Sequence, residues 1–518
     1  MSRILLVILF LGLISSSGIY CQQETFKNPV IHGDMADPSV FRIGDVYYAT
    51  GTSSEWAPFY PVFMSKDLVN WTQTGHIFNK KPEWTRNSFW APELYYHNGK
   101  VYCYYTARQA SNNITGIGVA VADSPTGEFI DHGLLIKHGT EAIDAFVFDD
   151  NGQLYITWKA YGLDKRPIEI VGSKLSADGL RLEGEVFSLL KDDEGIGMEG
   201  QYHFRHGDYY YLVYAAHGCC GFGSDYDVYV ARSKSFTGPY EKYNGNPILN
   251  GGNKEFISSG HGTTVTMPDG RMFYMCHAYM KGDEMYMGRQ PILQEMYVGE
   301  DGWVHFRTGE TTKIEQPMPF PNTMQKAIPN FEDKFKEANL RVEWTWNYPY
   351  ADIKTEIKKN KLYLAGKPVA KNRFGTALCL CATSPDYEYH TIITNKNEST
   401  KGLTMYGDDG NLVVWGVSGS KLELKSVKDG RESVIYESFA SGKKLYLKIA
   451  VYKGHLLDFY RSNNNKEWIK INEEPLDCGY LARWDRVARP GLIHIGNVNQ
   501  PAEISYFKLE NMSRQASY

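Results

Sequence analysis

The sequence predicts an all-β protein in which a five-bladed β-propeller is followed by a β-sandwich of the jelly-roll kind. Three observations predict it. One strand-turn-strand pattern recurs five times in the first two thirds of the chain, the recurrence stops at a cluster of prolines, and the remainder reads as short alternating strands between Gly and Asn turns. No long helical periodicity competes with either half.

The first element is a leader. Met1, Ser2 and Arg3 precede an apolar run from Ile4 to Leu13 and small residues from Ser15 to Gly18. A charged start, a short apolar core and a small-residue zone describe an export signal over residues 1–21, and the apolar run is too short to remain as a membrane span. The mature chain is therefore expected outside the cytoplasm, secreted or periplasmic. Cys21 is a candidate lipid anchor at a cell surface, although Tyr20 before it is larger than a lipoprotein signal prefers.

The repeats occupy residues 25–320. The copies begin at Asp37, Ala91, Asp144, Glu199 and His261, and each has a short apolar strand, a Gly-, Asn- or Asp-containing turn and an aromatic-rich strand. Turns such as His97-Asn98-Gly99 and Asp150-Asn151-Gly152 are hairpin chemistry. Recurrence at roughly 50–60 residues is the period of a propeller blade, a four-stranded sheet set around a central channel.

In a propeller the innermost strands run beside the axis, so the residues at their heads converge. Here these are Asp37, Ala91 with Glu93, Asp144, Glu199 and His261. Gathering carboxylates in one pocket is costly, because like charges and desolvation each raise a carboxyl pKa. A single Asp or Glu at a strand end is usually a solvated cap; a coincident set points to chemistry. Hydrolysis of a glycosidic bond needs such a set, with one carboxylic acid to protonate the leaving oxygen and one carboxylate to activate water or attack the sugar.

The chain also resembles glycoside hydrolase family 43. The resemblance rests on Ala36-Asp37-Pro38-Ser39-Val40, Ser65-Lys66-Asp67-Leu68-Val69-Asn70-Trp71, Phe89-Trp90-Ala91-Pro92-Glu93, Ile143-Asp144-Ala145, Met198-Glu199-Gly200, Gly260-His261-Gly262, and Gly288-Arg289 followed by Asp301-Gly302-Trp303. It implies an inverting, exo-acting glycosidase in which Asp37 is the general base, Glu199 the general acid, and Asp144 the residue that tunes and orients the acid. The implied substrate is a plant-type polysaccharide or oligosaccharide with a terminal α-L-arabinofuranose favoured and β-xylose or β-galactofuranose as alternatives. A propeller that only binds sugar is the non-enzymatic alternative, and it would have no need of an intact acid set. Trp90, Glu93, His261 and Arg289 are candidate substrate-binding residues. Trp90 would offer a ring to a sugar face, and Arg289 would pair with a carboxylate or a hydroxyl. The resemblance also allows a calcium ion at His261 in the channel, with no cofactor required.

Near Pro317-Met318-Pro319-Phe320-Pro321 the repeats end, and residues 330–512 form the second domain. Val342-Glu343-Trp344-Thr345-Trp346 and Gly491 to Gly496 resemble the concanavalin-like domain appended to many family members. Trp344 or Trp346 could then hold polysaccharide, or the domain could brace the propeller; bracing is the preferred expectation. Hydrophobic residues make up 42% of the 518-residue chain and the net charge is −5 with no basic run, so a nucleic-acid partner is excluded. Eight cysteines show no zinc spacing, and only the adjacent Cys219 and Cys220 stand out, in a glycine-rich loop. A similar pair in arabinan-active relatives tilts the expected substrate toward furanosides.

Overall fold

A computed structural model describes residues 24–512 apart from 163–166, 253, 283 and 370–371. The leader and Cys21 lie outside the described residues. Strands dominate, and among the described residues the α-helix is limited to the single turn Glu284–Met287. No described helix is long and apolar enough to cross a membrane.

Five four-stranded antiparallel sheets follow one another along the chain, each a simple meander. Their first strands are Ser39–Ile43, Thr85–His97, Glu141–Asp150, Met198–His206 and Phe256–Thr266. Each packs against the first strand of the next sheet, and the fifth packs against the first, so the five make a closed ring. Closure is secured at the chain's start: Thr25–Lys27 pairs with Glu315–Pro317, and the buried Asn28 side chain exchanges hydrogen bonds with the backbone of Leu293. Each first strand is the edge of its own sheet, paired on one side only, and the closed ring shields these inner edges by setting them against one another around the axis.

The hairpin reading of the repeats holds in detail. Asp37, Ala91, Asp144 and Gly200 all adopt left-handed backbone, and each lies seven residues before a second left-handed residue, respectively Gly44, Asn98, Asn151 and Gly207. His261 is left-handed too. The structural equivalent of Asp37 and Asp144 in the fourth sheet is therefore Gly200. Glu199 stands one step earlier, next to a bulge between Glu199 and Tyr202 in the pairing with Tyr209–Ala216. A bulge shifts the pleat by one residue and re-aims the side chains around it. The third sheet carries the same irregularity between Ile143 and Phe146, so Glu199 corresponds in position to Ile143, and aligning it by sequence with the two aspartates is one residue out.

The C-terminal part is two packed antiparallel sheets of nine and six strands. Their inner faces share one core, with Leu362, Tyr389, Leu447 and Phe459 from the larger sheet meeting Leu403, Val413, Trp415 and Leu492 from the smaller. Trp344 is 1% exposed inside this core, and its indole N–H donates to Asp333. It offers no face to a polysaccharide. Trp346 pairs through its backbone with Ala57 of the first sheet region, placing it in the seam between the two halves.

That seam is extensively built. Trp56 leaves the ring half and is buried among Ala377, Cys379, Tyr406, Leu412, Val414 and Ile493 of the sandwich, with the Arg489 guanidinium 4.3 Å from its ring centre. Arg486 pairs with the buried Glu55 at 2.7 Å, and Tyr348 packs edge-on against Phe59. The two halves thus share an apolar core and an ion pair to the buried Glu55 across the seam.

Candidate active site

The heads of the first strands do converge. Asp37 and Asp144 face the same His261 ring, whose Nδ1 lies 3.4 Å from an Asp37 oxygen and 3.8 Å from an Asp144 oxygen. The backbone N–H of Gly200 donates to Asp144 at 3.0 Å, which fixes that carboxyl beside Glu199. Gly200 is required here on two counts: its φ is +60°, and a Cβ would come within 2.6 Å of the His261 ring.

The three carboxyl groups have different surroundings. Asp37 is 8% exposed, with one oxygen accepting from the Thr52 hydroxyl at 2.5 Å and the other from Arg289 at 3.3 Å. The Thr52 hydroxyl in turn accepts from the backbone of Ala91, tying the second strand head to the first. The Asp37 backbone N–H donates to Nδ1 of His277 at 3.1 Å, and burial lowers the His277 pKa to about 4, so that ring is a neutral acceptor at neutral pH. Burial pushes the Asp37 carboxyl up, but the adjoining Arg289 guanidinium and His261 imidazole outweigh it and hold the group well below the usual carboxylate range. These contacts favour the ionised form of Asp37.

Glu199 is held by two donors. Lys159 Nζ lies 2.8 Å from one oxygen, and the Tyr226 hydroxyl donates to the other at 2.9 Å. Burial again pushes upward, and the Lys159 ammonium is the main reason that the group lies below its ordinary value. Asp144 has the His261 imidazole 3.8 Å away, which favours its ionised form, and no described lysine or arginine in direct contact. Burial, helped by the negative Glu199, raises its pKa to about 7.

The remaining expected residues divide. Arg289 sits in the cluster, with its backbone N–H donating to Asp34 and its outer nitrogen 3.9 Å from Asp485. Trp90 lies beside the cluster, its ring 6.4 Å from that of Trp484 in an edge-on contact and 5.4 Å from the Arg108 guanidinium. Glu93 is turned the other way. Its carboxyl accepts from Ser39 at 2.8 Å in the channel behind the cluster, and burial raises its pKa to about 8. Glu93 and Gln201 share a small channel cavity with His261. Among the described residues no three His, Cys, Asp or Glu side chains converge as metal ligands.

Several participants escaped the sequence reading. Lys159 follows the fully buried Trp158, and a lysine within such an apolar strand was the available signal. Tyr226 was one tyrosine among 37. Asp485 and Trp484 arrive from the sandwich, with Asp485 standing 286 residues after Glu199, and only the fold brings them in. The loop 482–487 reaches across the seam: Ser54 lies 3.5 Å from Asp485, and Trp484 backs onto Gly221, where a Cβ would meet the Trp484 carbonyl at 3.3 Å. Gly221 follows the Cys219–Cys220 pair, which is joined as a disulfide, and its N–H donates to Tyr279. Trp484 is 56% exposed, an apolar ring at the rim beside Trp90.

Comparison with known proteins decides the family. The family description "Glycosyl hydrolases family 43" matches residues 26–304, and "Beta xylosidase C-terminal Concanavalin A-like domain" matches residues 332–498. The chain belongs to glycosyl hydrolase family 43. A non-reducing-end α-L-arabinofuranosidase of Bacteroides ovatus is 28% identical over 66% of this chain and 64% of its own length. An extracellular exo-α-(1→5)-L-arabinofuranosidase of Cellvibrio japonicus is 32% identical over 52% of this chain and 85% of its own. A β-xylosidase of Bacillus subtilis is 25% identical over 86% and 90%. The structure of a family 43 protein from Bacillus licheniformis superposes with a TM-score of 0.82 at 21% identity, covering 94% of this chain and all of that one, so the fold is shared along nearly the whole length. The chain spans just under two thirds of the Bacteroides ovatus enzyme's length.

Proposed function

We propose that this family 43 protein is an exo-acting, inverting glycosidase, with a five-bladed β-propeller as its catalytic domain over residues 25–320 and a bracing sandwich over residues 330–512. The observation that carries the reading is the difference among three convergent carboxyl groups: Asp37 held by Arg289 and Thr52, Glu199 paired with Lys159, and Asp144 with a raised pKa. An inverting hydrolysis asks for this division between a base that never holds a proton at rest and an acid that must gain one.

The chemistry follows from the contacts. Asp37 accepts a proton from water as the water oxygen bonds to the anomeric carbon. Glu199 donates a proton to the departing glycosidic oxygen as the bond on the opposite face breaks. Asp144 stores the proton close to Glu199 and is oriented by the Gly200 N–H. Arg289 and Thr52 keep Asp37 aligned. Trp90 and Trp484 provide apolar faces at the rim, one from each domain, which favours a chain end over a chain middle.

A terminal α-L-arabinofuranose is the favoured substrate, with β-xylose and β-galactofuranose next. The arabinofuranosidase and β-xylosidase names of the relatives support this pentose range, and the Cys219–Cys220 loop at the rim favours the furanoside. The polymer would be met outside the cell, given the leader. A panel of nitrophenyl glycosides tests the sugar, and proton NMR in the first minutes tests the stereochemistry. Inverted arabinose is the expected product. Retention, or a carboxyl separation near 5 Å between Asp37 and Glu199 in place of roughly 6.5–9.5 Å, would overturn the mechanism.

A further inference from the structure

Lys159 is out of place by the rules that build its strand. It lies in Gln153–Tyr161 between Trp158 and Ala160, both fully buried, and its cross-strand neighbours are Ile143 and Ile170. The lysine itself is 9% exposed. A buried ammonium costs several kcal/mol unless it is well paired, and an apolar residue would serve the sheet better. Lys159 has two carboxylates within reach: Glu199 at 2.8 Å and Glu141 at 3.0 Å, the latter at the start of Glu141–Asp150 with 27% of its side chain exposed. One cation is thus shared by two anions, one of which is the proton donor of the proposed reaction.

We infer that Lys159 is a positioning residue that acts as a movable counter-charge, pairing with Glu199 when that group is ionised and passing to Glu141 when Glu199 carries a proton. The inference rests on the acid role given to Glu199 above. In the chemical step the Glu199 proton moves to the glycosidic oxygen as the bond to the anomeric carbon breaks. Water bonds to that carbon and gives its proton to Asp37. A carboxylate is left on Glu199, and the ammonium 2.8 Å away stabilises it as it forms. An interaction that is stronger after proton transfer than before it lowers the barrier. Solvent then returns a proton to Glu199, and Asp37 releases one. Lys159 keeps its own proton throughout, because Glu199 and Glu141 raise its pKa above the ordinary lysine value against the opposing effect of burial.

Other groups face Glu199 as well. Tyr226 donates to it, Asp144 approaches along Glu141–Asp150, His261 comes from Phe256–Thr266, and Asp37 stands beyond. All of these remain in place in a Lys159 or Glu141 variant, so a change in pH dependence there reports the shared cation.

The test uses the full chain and three variants, Lys159→Met, Lys159→Arg and Glu141→Gln, with kcat/KM measured against pH on nitrophenyl and unactivated disaccharide substrates. The basic limb of the profile reports the acid. Lys159→Met is expected to move it upward by about one pH unit or more, since a cation at this distance depresses a carboxyl by roughly 1–3 units. Hydrolysis of the disaccharide should fall on the order of 10²-fold while the nitrophenyl glycoside, which needs little protonation, loses less. Lys159→Arg should restore the limb. Glu141→Gln should move the limb downward, because the cation then serves Glu199 alone. An unmoved basic limb in Glu141→Gln, or a Lys159→Met loss that is equal for both leaving groups with an unmoved limb, overturns the inference and leaves simple charge neutralisation. If Lys159→Met does not fold, Glu141→Gln decides alone. Failure of the acid reading itself has another signature: Glu199→Gln would then lose as much on the nitrophenyl substrate as on the disaccharide.

Discussion

The Asp37 pole and the Glu199 pole of the site use the same side-chain chemistry and hold it in opposite ways. Asp37 is clasped by a guanidinium, a threonine hydroxyl and an imidazole, all anchored in turn by backbone or by the sandwich. Glu199 rests on a lysine that it shares with Glu141 and on one phenol. The difference teaches that burial alone assigns no catalytic role. Desolvation pushes both carboxyls upward, and the number and freedom of the partnering cations decide which becomes a fixed base. Tyr226 links the poles, donating to Glu199 while its ring stacks 5.7 Å from that of His277 beside Asp37.

The largest expected effect separates the poles by leaving group. Asp37→Ala should lower turnover by about 10²–10⁴-fold or more on every substrate, because water activation is needed whatever departs. Glu199→Gln should be comparably damaging on a disaccharide and milder on a nitrophenyl glycoside. Near wild-type turnover in Asp37→Ala, with the fold verified by circular dichroism, would remove it as the base. Next comes Arg289→Met, which takes away the principal cation at Asp37. The acid limb of the pH profile should rise by about one unit or more, whereas the basic limb, set by the other pole, should stay. A shift of both limbs together would show that the poles are one coupled system.

Much of this was legible in the sequence, and the gaps have physical causes. The five hairpins were visible because each turn needs left-handed residues, which Gly44, Asn98, Asn151 and Gly207 supply at one spacing and Gly270 supplies in the fifth. Asp37, Asp144 and Glu199 stood out because acidic residues at apolar strand heads are rare. The offset of Glu199 by one residue was hidden, since only the left-handed backbone that Gly200 shares with Asp37 and Asp144 reveals it. Glu93 read as a site carboxylate because it follows the same Trp-Ala-Pro strand head, yet the pleat sends it into the channel. Trp484 and Asp485 were beyond reach, because a contact made across a domain seam has no local signature.

A moderate effect is expected at the link between the poles. Tyr226→Phe removes one hydrogen bond to a charged carboxylate, an interaction of about 1.5–3 kcal/mol, and keeps the ring on His277. The basic limb should rise by less than in Lys159→Met, and the acid limb should not move. A rise in the acid limb would mean that Tyr226 acts through His277 on Asp37, and the two poles would have to be drawn as one.

The smallest effect concerns stability, and it tests the group between the poles. The folded-state pKa of Asp144 is raised to about 7 from the ordinary 3.8, chiefly by burial. A carboxyl raised on folding contributes stability that is complete below its unfolded value and is lost as pH rises through the folded one, since the unfolded chain gives up its proton first. Asp144 should therefore weaken the fold progressively between about pH 4 and pH 7. Asp37, whose pKa is depressed, does the reverse: its contribution is present above the ordinary carboxylate range and fades as pH falls below it. Asp144→Asn keeps the size of the side chain and one oxygen for the Gly200 N–H while removing the titration. Thermal unfolding of the inactive variant should show a Tm close to wild type at pH 4 and a few degrees higher at pH 8. An equal change at both values would mean that Asp144 is not the group holding the proton, and that the raised pKa of the pair belongs to Glu199 even in the empty site.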